Sequence, residues 1–203
     1  AQMVAKRYKT KHHELEIPAD LYLSSMNEYL QYKDEPIGVP NEVALYLLFK
    51  KIKKTSTVVL AGEGADEIFA GYGRIFRSPF DFIKQTLLSP NVDFTSFFLD
   101  TYGYFSDYDL DQIMKKEYIC NYRNIFHSYL EKCPRDYYSK VSYLFIKQHL
   151  PGLLLRTDIS SMASGVECRV PFVDHELVQQ AYSLPIEHKN PFKSIESYKK
   201  SLS

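Results

Sequence analysis

Apolar positions in the first quarter of the chain recur at helical spacing. Leu21, Tyr22, Met26, Tyr29 and Leu30 mark one face of a helix that Pro18 opens and that runs to about Tyr32. Val43, Leu45, Tyr46, Leu47, Phe49 and Ile52 mark a second helix over 42–53. Its C-terminal end carries Lys50, Lys51, Lys53 and Lys54, where cations suit the helix dipole and a solvated cap accounts for them. Asp34-Glu35-Pro36, followed by Gly38 and Pro40, breaks the chain between the two. Ala1 to Tyr8 reads as the end of an amphipathic helix. The period drops to two at His12–Ile17, predicting a strand with Leu15 and Ile17 on one face and the paired histidines on opposite faces, which speaks against a shared metal site. A short apolar run over Thr55–Leu60, ending in Val58, Val59 and Leu60, predicts a buried strand. Residues 1–73 therefore read as an α/β layer with added helices.

From Arg74 the texture becomes helical and aromatic, and 74–203 reads as a large helical part. Phe94, Phe97 and Phe98, then Tyr102, Tyr104 and Phe105, then Tyr118, Tyr122, Phe126 and Tyr129 repeat at helical spacing, with Pro79, Pro90 and Pro134 as punctuation. Such a stripe predicts a packed helical core rather than a base-stacking platform. Leu150 to Asp174 is different: Arg156 and Asp158 lead into Ser160, Ser161, Ala163, Ser164 and Gly165, then Glu167 and Arg169 before Val170-Pro171-Phe172. The small residues permit close approach of another backbone or of a ligand. Glu167 and Arg169 predict an internal ion pair that fixes a turn. Asp174 is placed to cap a helix to Ser183, with His175 beside it on the surface, and a polar, basic tail follows His188.

The chemistry concentrates in Val58–Gly73, VVLAGEGADEIFAGYG. A strand that breaks into a glycine loop and reopens as a helix is a common way to build a ligand site. Gly62 and Gly64 allow positive φ and close approach to a ligand. A helix starting at Ala65 or Asp66 would carry Asp66 and Glu67 in its first turn, which ordinary capping also explains. The loop lacks the Lys-Ser/Thr of a phosphate-binding P-loop and suits cations or amines better than a bare anion.

The bulk properties narrow the classes. With 203 residues, 45% hydrophobic, the chain can bury a core. The 25 basic and 25 acidic residues balance, giving no field for nucleic acid or membrane surfaces. Three cysteines are too few and scattered for a disulfide framework or zinc cluster and fit a reducing, cytoplasmic compartment. No apolar run is long enough to span a membrane, and the start has no signal-peptide core. It also opens mid-helix without an initiator Met, as a piece of a longer chain would.

Two separated stretches carry a resemblance. Leu60 to Tyr72 (LAGEGADEIFAGY) resembles L-S-G-E-G-S/A-D-E-L/I-F-G-G-Y, and Asp158 to Asp174 (DISSMASGVECRVPFVD) resembles D-R/K-A-S-M-A-x-G-V/L-E-x-R-V-P-F-L-D. Both patterns belong to the synthetase domain of the glutamine-hydrolysing asparagine synthetase family. The resemblance implies a partial domain over 1–203 of adenine nucleotide α-hydrolase-like architecture, a partial parallel sheet with a helical C-terminal part. It implies ATP-dependent activation of aspartate to β-aspartyl-AMP and displacement of AMP by ammonia drawn from glutamine, with ATP and Mg²⁺ required. By the same resemblance Ala61 and Gly62 border ATP, and Glu63 and Asp66 are catalytic. Asp66 also faces magnesium through pyrophosphate, while Glu67, Asp158, Glu167 and Arg169 support the substrate side. Expected partners are the small-molecule substrates, a glutaminase domain of the same parent chain and a second copy in a homodimer.

The sequence departs from the pattern at Ala61 (Ser in the family), Ala70 (Gly) and Ile159 (Arg or Lys). The Ser-Gly-Gly-x-Asp-Ser pyrophosphate loop, a lysine-bearing segment and the glutaminase domain are not in these residues, so the chain alone is expected not to complete the reaction. Two other readings stand beside the leading one: a related ligase or amidotransferase with a different acyl acceptor, and a non-catalytic nucleotide-binding relative. Retention of Glu63 speaks against the β-lactam-forming branch, which has Tyr there.

Overall fold

The computed structural model describes residues 1–103, 105–115, 122–133 and 136–189. Tyr104, Tyr118, Pro134 and the basic tail beyond Lys189 lie outside them. The chain forms two compact units, one from residues 1–61 with 154–169, the other from 62–153 with 170–203. The structure is mostly helical with one small parallel sheet.

In the first unit, α1 (Gln2–Tyr8) is followed by α2 (Ala19–Leu30) and α3 (Asn41–Lys53), as the spacing predicts. Tyr29, Val43, Tyr46 and Leu47 form its apolar core. The expected strand at His12–Ile17 is not formed: the segment is extended but has no ladder partner among the described residues. Its alternation is nonetheless used, because Leu15 and Ile17 both pack against the core while Glu14 and Glu16 stay exposed. Period two reports a one-sided extended segment, and a strand needs hydrogen-bonding edges besides.

β1 (Val58–Leu60) pairs in parallel with β2 (Glu167–Arg169), Val59 opposite Cys168. Parallel strands need a crossover connection, and here it carries most of the second unit. The strand is not buried as its composition predicts. Val58 is 44% and Leu60 73% exposed, because side chains alternate across the pleat and that face of the pair stays open. Glu167 and Arg169 also depart from expectation. They do pair, Arg169 Nε to Glu167 Oε1 at 2.7 Å, but on exposed positions of β2 rather than inside a turn. A pair so exposed contributes little to stability.

A long helical run crosses both units: α10 (Tyr137–Leu144), a π-helical turn (Phe145–His149) and α11 (Leu150–Met162) follow without a break. Pro151 has no N–H to donate to the preceding turn, and widening of that turn is a known way to accommodate it. α11 ends in a Schellman motif: Val166 N–H bonds Ser161 O, Gly165 N–H bonds Met162 O, and Gly165 sits at φ 66°. The small residues of α11 meet a backbone, as one of the two expected uses. Ser164 Oγ donates to Tyr46 O at 3.2 Å, and Ser160 Oγ lies 3.1 Å from Tyr29 Oη. Ile159 packs on the Tyr29–Val43–Tyr46 core.

The polar centre of this unit is Glu42, buried at the start of α3. It accepts from the Lys33 ammonium, Tyr29 Oη and the backbone N–H groups of Gly38 and Val39. Burial alone would raise its pKa, but the hydrogen bonds from Lys33, Val39 and Gly38 prevail and hold it below its ordinary value. Because the folded pKa is depressed, the stability linked to its ionisation is complete above about pH 4.5 and is lost as pH falls through the lower folded value. Lys33→Met should cost about 3 kcal/mol in urea unfolding at pH 7, since it leaves the carboxylate buried without its cation. A change under 1 kcal/mol would remove Glu42 from this role.

In the second unit, α4 (Ala65–Phe69), α5 (Gly73–Phe76), α6 (Ser78–Leu88), α7 (Phe94–Tyr102), α8 (Asp107–Ile113) and α9 (Tyr122–Glu131) precede α10. A 3₁₀ turn (Pro171–Val173), α12 (His175–Ser183) and α13 (Ile186–Lys189) complete it. Phe76, Phe82, Phe94, Phe98, Tyr102 and Leu144 form its core, so the aromatic stripe is packing, as expected. Rings meet edge to face, as for Phe82 and Phe94 at 5.1 Å between centroids. Asp174 caps α12 through Glu176 N–H and Leu177 N–H, and His175 is exposed.

Candidate active site

The turn after β1 is built around Gly64. It takes φ 92°, and a Cβ there would come 2.7 Å from Val173 Cγ2 and near Leu150. Positive φ and a close neighbour both demand glycine. Gly62 differs from its expected role: its φ is not positive, and a Cβ would meet nothing within 4 Å. Its use is an unobstructed, exposed face. The chain then enters α4 at Ala65, and Asp66 and Glu67 occupy the first turn, as the sequence predicts.

Consecutive helical residues point about 100° apart, so the carboxylates of this turn meet different surroundings. Glu63, before the helix, is half-buried, Asp66 is exposed and Glu67 is only 1% exposed. Gly71 fixes Asp66 from below: its N–H bonds Asp66 O at 2.9 Å, and any Cβ on it would overlap the Asp66 carboxylate. Ala70 closes α4 at φ 60°, a left-handed position that ordinarily favours Gly.

Glu67 is held by groups that sequence reasoning did not single out. Tyr72 Oη donates to Glu67 Oε1 at 2.6 Å, and His149 Nε2 stands 3.8 Å from the same oxygen. The Tyr72 and His149 rings meet edge to face, 5.6 Å between centroids. Burial, then the hydrogen bond to Glu67, then the charges of Glu67, Asp66 and Glu63 push the Tyr72 phenol well above its ordinary pKa. Tyr72 lay in the quoted motif without an assigned role. His149 had no local signal, since only folding brings α4 to the π-helical turn.

The remaining candidates lie in the first unit. Ala61 N–H donates to Arg169 O at 2.8 Å, extending the β1–β2 ladder by one residue and placing Ala61 beside the Glu167–Arg169 strand. Asp158 is on the exposed side of α11, opposite the buried Thr157 and Ser160. Among the described residues no group of three His, Cys, Asp or Glu side chains gathers to hold a metal, and no helix is long and apolar enough to cross a membrane.

The glycine turn with its three carboxylates thus follows β1 of a two-stranded parallel pair in a mostly helical chain. The asparagine synthase family profile matches residues 1–195, and the chain belongs to that family. It is 28% identical over 206 residues to asparagine synthetase [glutamine-hydrolyzing] 1 of Bacillus subtilis, covering 85% of this chain and 32% of the relative. It is 27% identical over 201 residues to asparagine synthetase [glutamine-hydrolyzing] 3 of the same organism, covering 93% and 30%. The rat asparagine synthetase [glutamine-hydrolyzing] is 24% identical over 202 residues, covering 98% and 26%. The chain thus spans about a third or less of the length of these curated relatives.

Two substitutions separate the glycines. Gly64→Ala should cost about 2 kcal/mol from left-handed strain and the Val173 contact, whereas Gly62→Ala should stay within about 0.5 kcal/mol; urea melts that rank them equally would contradict this turn geometry. Tyr72→Phe removes the hydroxyl donor of a buried carboxylate and should cost about 2 kcal/mol, read by thermal unfolding against an exposed control, Tyr108→Phe on α8.

Proposed function

We propose that the chain is part of an ATP-dependent, amide-forming ligase that converts aspartate to asparagine through β-aspartyl-AMP, with ammonia supplied from glutamine by a further domain of the same protein. The observation that carries this reading is the turn hinged on Gly64. It holds Glu63 half-buried and Asp66 exposed beside the open face of Gly62, at the carboxyl end of β1.

The chemistry matches what the turn offers. Attack of ammonia on an acyl-adenylate develops positive charge on nitrogen, and a half-buried carboxylate such as Glu63 can stabilise that charge and take the proton. Gly62 lets a nucleotide approach the backbone with no side chain in the way. Ala61, with its N–H committed to the ladder, can offer only its carbonyl or its methyl surface. Asp66 is a hard oxygen donor fit to face magnesium, which binds through one or two carboxylates together with phosphate oxygens rather than in an all-protein cage. Magnesium would supply charge neutralisation on the leaving pyrophosphate. Asp158, Glu167 and Arg169, all exposed, are assigned to the substrate side.

The test is release of AMP and pyrophosphate by the whole protein containing this chain, given ATP, magnesium, aspartate and ammonium. Aspartate-dependent AMP is expected. Glu63→Gln should lower amide formation by roughly 10²–10³-fold while leaving stability within about 1 kcal/mol. Near wild-type turnover by that variant would remove Glu63 from the mechanism. Cleavage of ATP only with another acid would identify a ligase with a different acceptor, a reading that Ala61 and Ile159 favour. No cleavage with any acid would leave a nucleotide-binding relative.

A further inference from the structure

The helical unit contains a cavity of about 540 Å³, within the range of small-molecule sites, besides another of similar volume lined by Pro79, Ile83, Tyr138 and Tyr182. Its walls are the aromatic and aliphatic side chains of α7, α9 and α10, chiefly Phe98, Leu99, Tyr102, Phe126 and Leu144. No Asp, Glu, Lys or Arg among the described residues lines it. Tyr72 and Ile75 at α5, Leu110 of α8 and Met114 after it add to these walls, and the π-helical turn contributes Phe145, Gln148 and His149 together. A π-helical turn displaces side chains from regular helical spacing and recurs at functional sites. Here it places a polar edge, Gln148 and His149, on an apolar slot. His149 stands 3.8 Å from Glu67, beyond hydrogen-bond length, so its imidazole keeps bonding capacity for a ligand.

We propose that this cavity binds a neutral, flat, bicyclic aromatic molecule carrying a single N–H or O–H donor. The rings lie between Phe98, Phe126 and Phe145, and the donor bonds the His149 imidazole or the Gln148 carbonyl. Neutrality follows from the uncharged lining and from the buried Glu67 carboxylate behind Tyr72 and His149, which disfavours a second anion. A flat ring system matches walls in which rings already meet at centroid distances of 5.0–5.5 Å, Phe145 with His149 and with Tyr72. The cavity shares Tyr72 and His149 with the Glu67 cluster, but its binding does not rest on the proposed adenylation chemistry. Through His149 it adjoins Glu67, so its occupancy is sensed at the turn that carries Asp66.

Indole is the probe. The chain has no Trp, so with excitation chosen to avoid tyrosine, indole emission reports on the probe alone. Saturable binding with blue-shifted emission is expected, together with a shift of the His149 ring signals in NMR that saturates in parallel. Leu110→Phe, on α8, which has no buried residue, fills the cavity and should weaken binding at least tenfold. Met114→Phe serves the same purpose should the first variant melt early. His149→Leu should weaken binding roughly fivefold, one net hydrogen bond. Absence of saturable binding, a His149 resonance that does not move, or unchanged affinity in a folded cavity-filling variant would each overturn the proposal. Indole binding by protein that makes no asparagine would leave it standing.

Discussion

A buried carboxylate must be supplied with donors, and each unit of this protein is arranged around one. Glu42 and Glu67 are the buried acidic residues among those described. An ionised carboxylate removed from water without partners would cost several kcal/mol. Glu42 meets that demand by drawing in Lys33 from beyond α2, Tyr29 from within it and two backbone N–H groups from the loop before α3. The Asp34-Glu35-Pro36 loop, which has no regular structure, is thereby fastened at both ends. Glu67 has fewer donors, Tyr72 at hydrogen-bond length and His149 just beyond it. The first arrangement is closed on itself, while the second opens towards a cavity.

The same economy of contact governs the backbone of α11. Ser160 of α11 and Ser164 in the turn after it are small enough for their hydroxyls to reach the Tyr29 hydroxyl of α2 and the Tyr46 carbonyl of α3. Larger side chains would hold the helices apart and remove the Ser160 partner of the Tyr29 hydroxyl, which keeps its bond to Glu42. Ile159 adds apolar surface against the same core.

Around the GEGADE turn, three nearby carboxylates acquire three environments from geometry alone. The left-handed Gly64 ends the loop, the helix begins, and the helical twist sends Asp66 outward and Glu67 inward. Groups that are interchangeable as sequence become an exposed carboxylate, a half-buried one and a buried anchor. The anchor is what orients the other two, since α4 cannot turn without exposing or stranding Glu67.

Local rules were legible from the chain. Helical periodicity placed α2 and α3, the Asp174 cap placed α12, the aromatic stripe announced a packed helical core, and two motifs carried the family. These depend on interactions within a few residues, which periodicity and capping record directly. The extended segment at His12–Ile17 shows the limit: its alternation says which side faces the core but not whether a neighbour offers a ladder. For Val58 and Leu60, apolar composition suggested burial that the open face of a two-stranded pair does not provide. The positive φ at Gly64 but not Gly62, the exposed position of Glu167 and Arg169, and the meeting of Glu67 with Tyr72 and His149 were decided only by the tertiary structure. Each depends on what lies across space, and the burial of a carboxylate or the closure of a pair is set by partners from distant parts of the chain.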